Sequence, residues 1–137
     1  MLEDIRPGLM GEMEWVVGDE HSVGHGDSRV FSTPSMVLLT EIAAAQAIQP
    51  LLAANQSSVG TRIDVRHLAA TPVGMRVRAE ARVLEVDRRR IRFHVDVFDE
   101  MEKVGEGEQE RFVIDLDRYG ERLDAKRKLV AEREASA

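Results

Sequence analysis

The chain has 137 residues, 43% of them hydrophobic and 32% charged, enough for one packed domain of ordinary globular balance. Its formal net charge is −6, so a nucleic acid would bind against the overall field, and neither Arg88-Arg89-Arg90 nor Lys126-Arg127-Lys128 has interleaved aromatics for base stacking. The lack of cysteine excludes disulfides, thiolate metal sites and cysteine nucleophiles, and no stretch reaches the roughly 20 apolar residues of a membrane span.

Met1-Leu2-Glu3-Asp4 lacks the basic and apolar runs of a signal peptide, which points to a cytoplasmic protein. Residues 11–17 alternate as a short first strand. Gly18 to Phe31, rich in Gly, His, Asp and Ser, reads as a loop over a pocket. A helix follows, with Thr33 as its N-cap and Pro34 at its first position, running to about Ala53 with Pro50 bending or ending it. Three strands are then predicted. Gly60 to Ala70 turns Ile63, Val65 and Ala69 to one face; Met75 to Val86 turns in Val77, Ala79, Ala81 and Val83; the next turns in Ile91, Phe93, Val95 and Val97. A fourth, Val104 to Leu116, begins too polar (Glu106, Glu108, Glu110) to be buried on either face. From Arg118 the chain reads as a solvated, charged helix that frays at its end. The order gives an α+β domain spanning residues 1–137, with one long helix on one antiparallel sheet. That helix is apolar around most of its circumference. One sheet cannot cover it, so a second subunit is expected beside it.

Two polar residues stand out. Ser35, Gln46 and Gln49 form a weakly polar side of the helix, and Glu41 lies about 80° from the nearest of them, among Val37, Leu38, Ala44, Ala45 and Ile48. Its carboxylate either reaches the helix edge or needs a partner inside. His67 is in register with Ile63, Val65 and Ala69, so its imidazole points toward the helix, either as a satisfied core histidine or as part of a site. His94 shares a face with Arg92 and Asp96 and reads as solvated. His21 and His25 are four apart, but Gly24 and Gly26 disfavour a helix there and no third ligand is evident, so no metal is assigned. The hydroxyl of Thr33 lies at the helix N-terminus, where the amides favour developing negative charge.

The stretches Val30-Phe31-Ser32-Thr33-Pro34-Ser35-Met36-Val37, Glu41, Ser58-Val59-Gly60-Thr61 and Val65-Arg66-His67-Leu68-Ala69-Ala70-Thr71-Pro72-Val73-Gly74 resemble the fluoroacetyl-CoA thioesterase family of hotdog-fold proteins. The resemblance runs from about Trp15 to Leu116 and rests most on the His-x-Ala-Ala-Thr-Pro-x-Gly segment. It implies a central helix wrapped by an antiparallel sheet, a homodimer that can pair further into a dimer of dimers, and active sites at the dimer interface with coenzyme A bound across it. It also implies that Thr33, Glu41 and His67 are catalytic, that Gly60 lies against the acyl thioester, and that Phe31 lines the substrate site. No cofactor is implied beyond the coenzyme A of the substrate. One departure is plain. Fluoroacetyl-selective members carry an aromatic, proline-bearing lid before the helix, whereas this chain has Gly24-His25-Gly26-Asp27-Ser28-Arg29.

The expected activity is hydrolysis of a small acyl-CoA, with Glu41 as nucleophile or as the base that activates water. His67 would polarise Glu41 or pass a proton to the thiolate, and Thr33 would stabilise the oxyanion. The alternative is a hotdog protein that binds acyl-CoA without cleaving it. A hydratase or dehydratase ranks lower, because no Asp–His pair occurs at suitable spacing in the helix or the loop before it.

Overall fold

A computed structural model describes residues 2–136; Met1 and Ala137, the ends of the expected domain, lie outside it. The strands are β1 (Met10–Val16), β2 (Ser22–His25), β3 (Ser28–Phe31), β4 (Gln56–His67), β5 (Arg76–Asp87), β6 (Arg90–Asp99) and β7 (Lys103–Asp115). Helix α1 (Thr33–Ile48) lies between β3 and β4, and α2 (Leu116–Ala135) follows β7. Five strands form one antiparallel sheet in the order β1-β5-β6-β7-β4, while β2 and β3 pair apart as a hairpin. No helix among the described residues is long and apolar enough to cross a membrane.

The alternation read from β5 and β6 builds the core. Val77, Ala79, Ala81 and Val83 join Ile91, Phe93, Val95 and Val97 under Met36, Leu39, Ala43, Ala44, Ala47 and Ile48 of α1. The helix touches every strand of the sheet and sits closest to β1. There Gly11 has no room for a side chain: a Cβ would lie 2.3 Å from the Ala43 carbonyl oxygen. This close approach seats the helix, and it needs the small residues on both sides.

Four expectations are corrected. Ser32, not Thr33, caps α1, its Oγ accepting from the Ser35 amide at 3.2 Å. The helix stops at Ile48 rather than Ala53, because Pro50 has no amide hydrogen to continue it and Gln49–Leu51 tighten into a 3-10 turn. The segment Gly18 to Phe31 is not a loop but a 3-10 turn (Asp19–His21) and the β2–β3 hairpin, which reverses at Gly26 with φ of +62°. It is tied down by the Phe31 amide on the Thr71 carbonyl at 2.8 Å and by a bridge from Val30 to Pro72. Finally, the first half of β7 does bury residues on one side, Val104, Gly105 and Gln109.

Candidate active site

Strand β4 carries the site, and a bulge sets its geometry. Gly60 pairs with Arg111 and Arg62 with Glu110, leaving Thr61 as an extra residue. The Thr61 hydroxyl holds it in place by donating to the Glu110 carboxylate at 2.8 Å. Side chains alternate along a strand, so residues 60 and 67 would face opposite ways in a regular one. The bulge brings both to the inner side, along with Ser58, Ile63 and Val65.

At one end of β4, His67 meets the start of α1. Its Nδ1 lies 2.8 Å from the Thr33 hydroxyl, and its ring packs edge-on to Phe31 at 6.4 Å between centroids. Because Ser32 does the capping, the Thr33 hydroxyl is free for this contact. Burial pushes the His67 pKa below its ordinary value, with the Ala69 backbone raising it back in part, so the imidazole is uncharged at neutral pH. Among the described residues, no group meets the buried Nε2 in hydrogen-bond geometry. A cleft of about 410 Å³ opens beside the pair, lined by Val23 and His25 of the hairpin and by Phe31, Thr33, His67 and Leu68. His21 is occupied elsewhere, stacked on Trp15 at 4.4 Å.

At the other end, Glu41 leaves α1 toward β4 and β7. Its carboxylate covers Gly60, where a Cβ would stand 2.8 Å from Oε2, and it pairs with Arg111 Nη1 at 3.5 Å. Arg111 is the part of the site that the sequence reading missed. Only 9% of its side chain is exposed, against 31% for Glu41. Nε donates to Ser58 Oγ and Nη2 to the Ser58 carbonyl, each at 2.8 Å. Burial lowers the Arg111 pKa and Glu41 raises it back in part; a guanidinium so placed stays charged. Its signal in the sequence was its phase: it alternates in step with Val113, on the inner side of a strand that reads as all charge.

These two clusters do not touch within one chain. Thr33 and Glu41 are eight residues apart on α1, about 12 Å along its axis, and Gly60 and His67 are about 23 Å apart along β4. The expected polarising of Glu41 by His67 therefore finds no contact within one chain. Glu41 faces Arg111, and His67 faces Thr33.

Comparison with known proteins settles the family. The fluoroacetyl-CoA-specific thioesterase family matches residues 11–117. The chain belongs to that family. A fluoroacetyl-CoA thioesterase of Streptantibioticus cattleyicolor is 38% identical over 97 residues, 71% of this chain and 70% of that one. A solved structure of the fluoroacetyl-CoA thioesterase superposes with a TM-score of 0.83 at 33% identity, covering 89% of this chain and 97% of that one. The hot-dog-like protein of Thermanaerovibrio acidaminovorans shares the fold, with a TM-score of 0.83 at 23% identity over 90% of this chain and 94% of its own. This member of the fluoroacetyl-CoA-specific thioesterase family is a hotdog-fold thioesterase, as the resemblance implied.

Proposed function

We propose that this thioesterase hydrolyses a small acyl-CoA to the free acid and CoA, as a cytoplasmic homodimer, at a site assembled from two chains. The observation that carries this reading is the Glu41 carboxylate, pinned by Arg111 against a bare stretch of backbone at Gly60. A thioester carbonyl laid on Gly60 meets that carboxylate directly. Glu41 then attacks it or draws a proton from the water that does, and Arg111 fixes the direction of attack. The Thr33 hydroxyl, oriented by His67, serves the oxyanion, and the neutral Thr33–His67 pair relays to the departing thiolate the proton that the attacking water gives up. The hydrolysis needs water and the chain's own residues, with no cofactor.

The dimer follows from what one chain leaves unsatisfied. Among the described residues β4 pairs only with β7, so its outer edge presents unpaired backbone groups from Gln56 to His67. Ile63 on that strand is 40% exposed and Leu38 on the adjoining flank of α1 is 50% exposed. Two copies of β4 paired antiparallel about a two-fold axis near Ile63 and Asp64 would cover both. The same axis sets Gly60 of one chain opposite the other chain's position 67 and closes the gap between the clusters. The chain has Gly24–Arg29, the turn of the β2–β3 hairpin, in place of the aromatic lid of fluoroacetyl-selective members, so the acyl group is a matter for the substrate panel.

A panel of short acyl-CoA thioesters assayed for thiol release tests the reading, with Glu41→Gln alongside. Turnover of one or more members is expected, reduced about 100-fold or more in the variant. Tight binding of the thioesters with no thiol released would show a binding protein instead.

A further inference from the structure

The β5–β6 hairpin, the end of β7 and the start of α2 meet on the outer face of the sheet, away from the helix α1. Phe112 stands there, 42% exposed, between two clefts. One, about 300 Å³, is walled by Phe112, Tyr119, Arg118 and Arg122; the other, about 510 Å³, by Phe112 and the arginines of the hairpin turn. Four carboxylates lie close by, and two arginines answer them, Arg90 also reaching Glu85 at 3.7 Å. Arg89 pairs with Asp115 at 3.2 Å, and Arg90 with Asp87 at 3.2 Å and Glu110 at 3.3 Å. Arg88, Arg118 and Arg122 form no ion pair among the described residues, although Arg118 is near enough to help hold the Asp115 carboxyl down. Three unpaired cations thus surround an exposed aromatic ring, on a chain whose net charge is −6.

Arg88 adds an independent mark. Its φ is +59°, and among the described residues no other non-glycine has a positive value. Glycine or asparagine would fill that turn with less strain, and the arginine instead sets a guanidinium on the wall it shares with Phe112. Register ties the patch to the acyl site. Phe112 pairs with Val59 and Arg111 with Gly60, so Arg111 points in to Glu41 while its neighbour points out to the patch. To bring its nucleotide to the patch, a thioester held at Gly60 would have to send its arm around the Gln56 end of β4.

We propose that this arginine-rimmed aromatic cleft binds the nucleotide end of the CoA substrate, an adenosine bearing phosphates at its 3′ and 5′ positions. The base stacks on the exposed rings, and the unpaired guanidiniums take the phosphates. The proposal rests on the acyl-CoA reading, and it explains how an acidic protein collects a polyanionic substrate.

The test uses one acyl group on three carriers: CoA, 3′-dephospho-CoA and N-acetylcysteamine, which has no nucleotide. In the double variant Arg118→Glu, Arg122→Glu, KM for the CoA thioester should rise about tenfold or more at similar kcat, with no change for the cysteamine thioester. The dephospho substrate should show part of that rise already in the unsubstituted protein. Arg88→Gly should raise KM for the CoA thioester several-fold while melting no lower than the parent, since it removes a strained arginine. Adenosine 3′,5′-bisphosphate should compete with acyl-CoA and lose affinity in both variants. An unchanged KM for the CoA thioester in Arg88→Gly and in a folded double variant overturns the proposal, as does non-competitive inhibition by the bisphosphate. If no thioester is hydrolysed but calorimetry shows arginine-dependent bisphosphate binding, the nucleotide site stands and the hydrolase reading fails.

Discussion

Arg111 and His67 solve opposite problems with the same resource, partial burial. Arg111 keeps its charge inside because Ser58 accepts two of its hydrogen bonds and Glu41 balances it. A lysine cannot reproduce that fork, so Arg111→Lys should retain the fold yet release Glu41. We expect kcat to fall about tenfold or more, with circular dichroism unchanged, because the carboxylate loses its fixed direction. His67 is kept neutral by burial, which lowers its pKa below 6.5. The sign of the pH effect follows. Below pH 6.5 the unfolded chain takes up a proton at this histidine that the folded chain refuses, so acidification through that window destabilises the protein. Urea melts at pH 7.5 and 5.5 should show a smaller acid loss in His67→Gln than in the parent. With His67 acting as a neutral ring, as proposed, acid inactivation should begin only below the depressed pKa. An activity loss already complete at pH 6.5 would contradict this.

At the level of elements, the cap and the bulge divide labour that the sequence presents as one motif. Ser32 stabilises the start of α1, and Thr33 beside it is released to His67. Ser32→Ala should therefore cost about 1 kcal/mol in denaturant unfolding, whereas Thr33→Ala should cost little stability and most of the turnover. Equal loss of stability in both would mean that the cap is shared. Gly11→Ala is the corresponding test of helix seating. A Cβ at 2.3 Å from a backbone oxygen has nothing flexible to push aside, and about 1–3 kcal/mol should be lost. Strands β5 and β6 and the face of His67 were legible because strict alternation has one interpretation when one side is apolar. The β2–β3 hairpin was not, since strands of four residues built from Ser, Gly, His and Arg carry no periodic signal. The partner of Glu41 was hidden for another reason. Arg111 lies 70 residues away, and its inward side is filled by glycine, glutamine and arginine, so no apolar pattern advertised it. The bulge at Thr61 was equally silent, because one extra residue in a strand changes the facing of side chains without changing composition.

The whole molecule is where the chemistry must close. One chain holds Thr33 with His67 at one end of β4 and Glu41 with Arg111 at the other, and the free edge of that strand runs between the two clusters. A two-fold pairing of β4 predicts complementation that a single-chain site forbids. Glu41→Gln and His67→Ala homodimers should each be inactive, having a defect in both sites. Subunits unfolded together in equal amounts and refolded should form mixed dimers in about half of the population. In each mixed dimer one site takes Glu41 from the His67→Ala chain and His67 from the Glu41→Gln chain, and is intact; the other site carries both defects. Thiol release should recover to about one quarter of the unsubstituted rate, twofold symmetry allowing one good site in every mixed pair. If each site were built within one chain, every site in every dimer would keep a defect and no activity would return. The same mixture with Glu41→Gln and Arg111→Lys provides the control. Those two residues belong to one cluster of one chain, so each mixed dimer has one site lacking Glu41 and one lacking Arg111, and its activity should not exceed the average of its two parents.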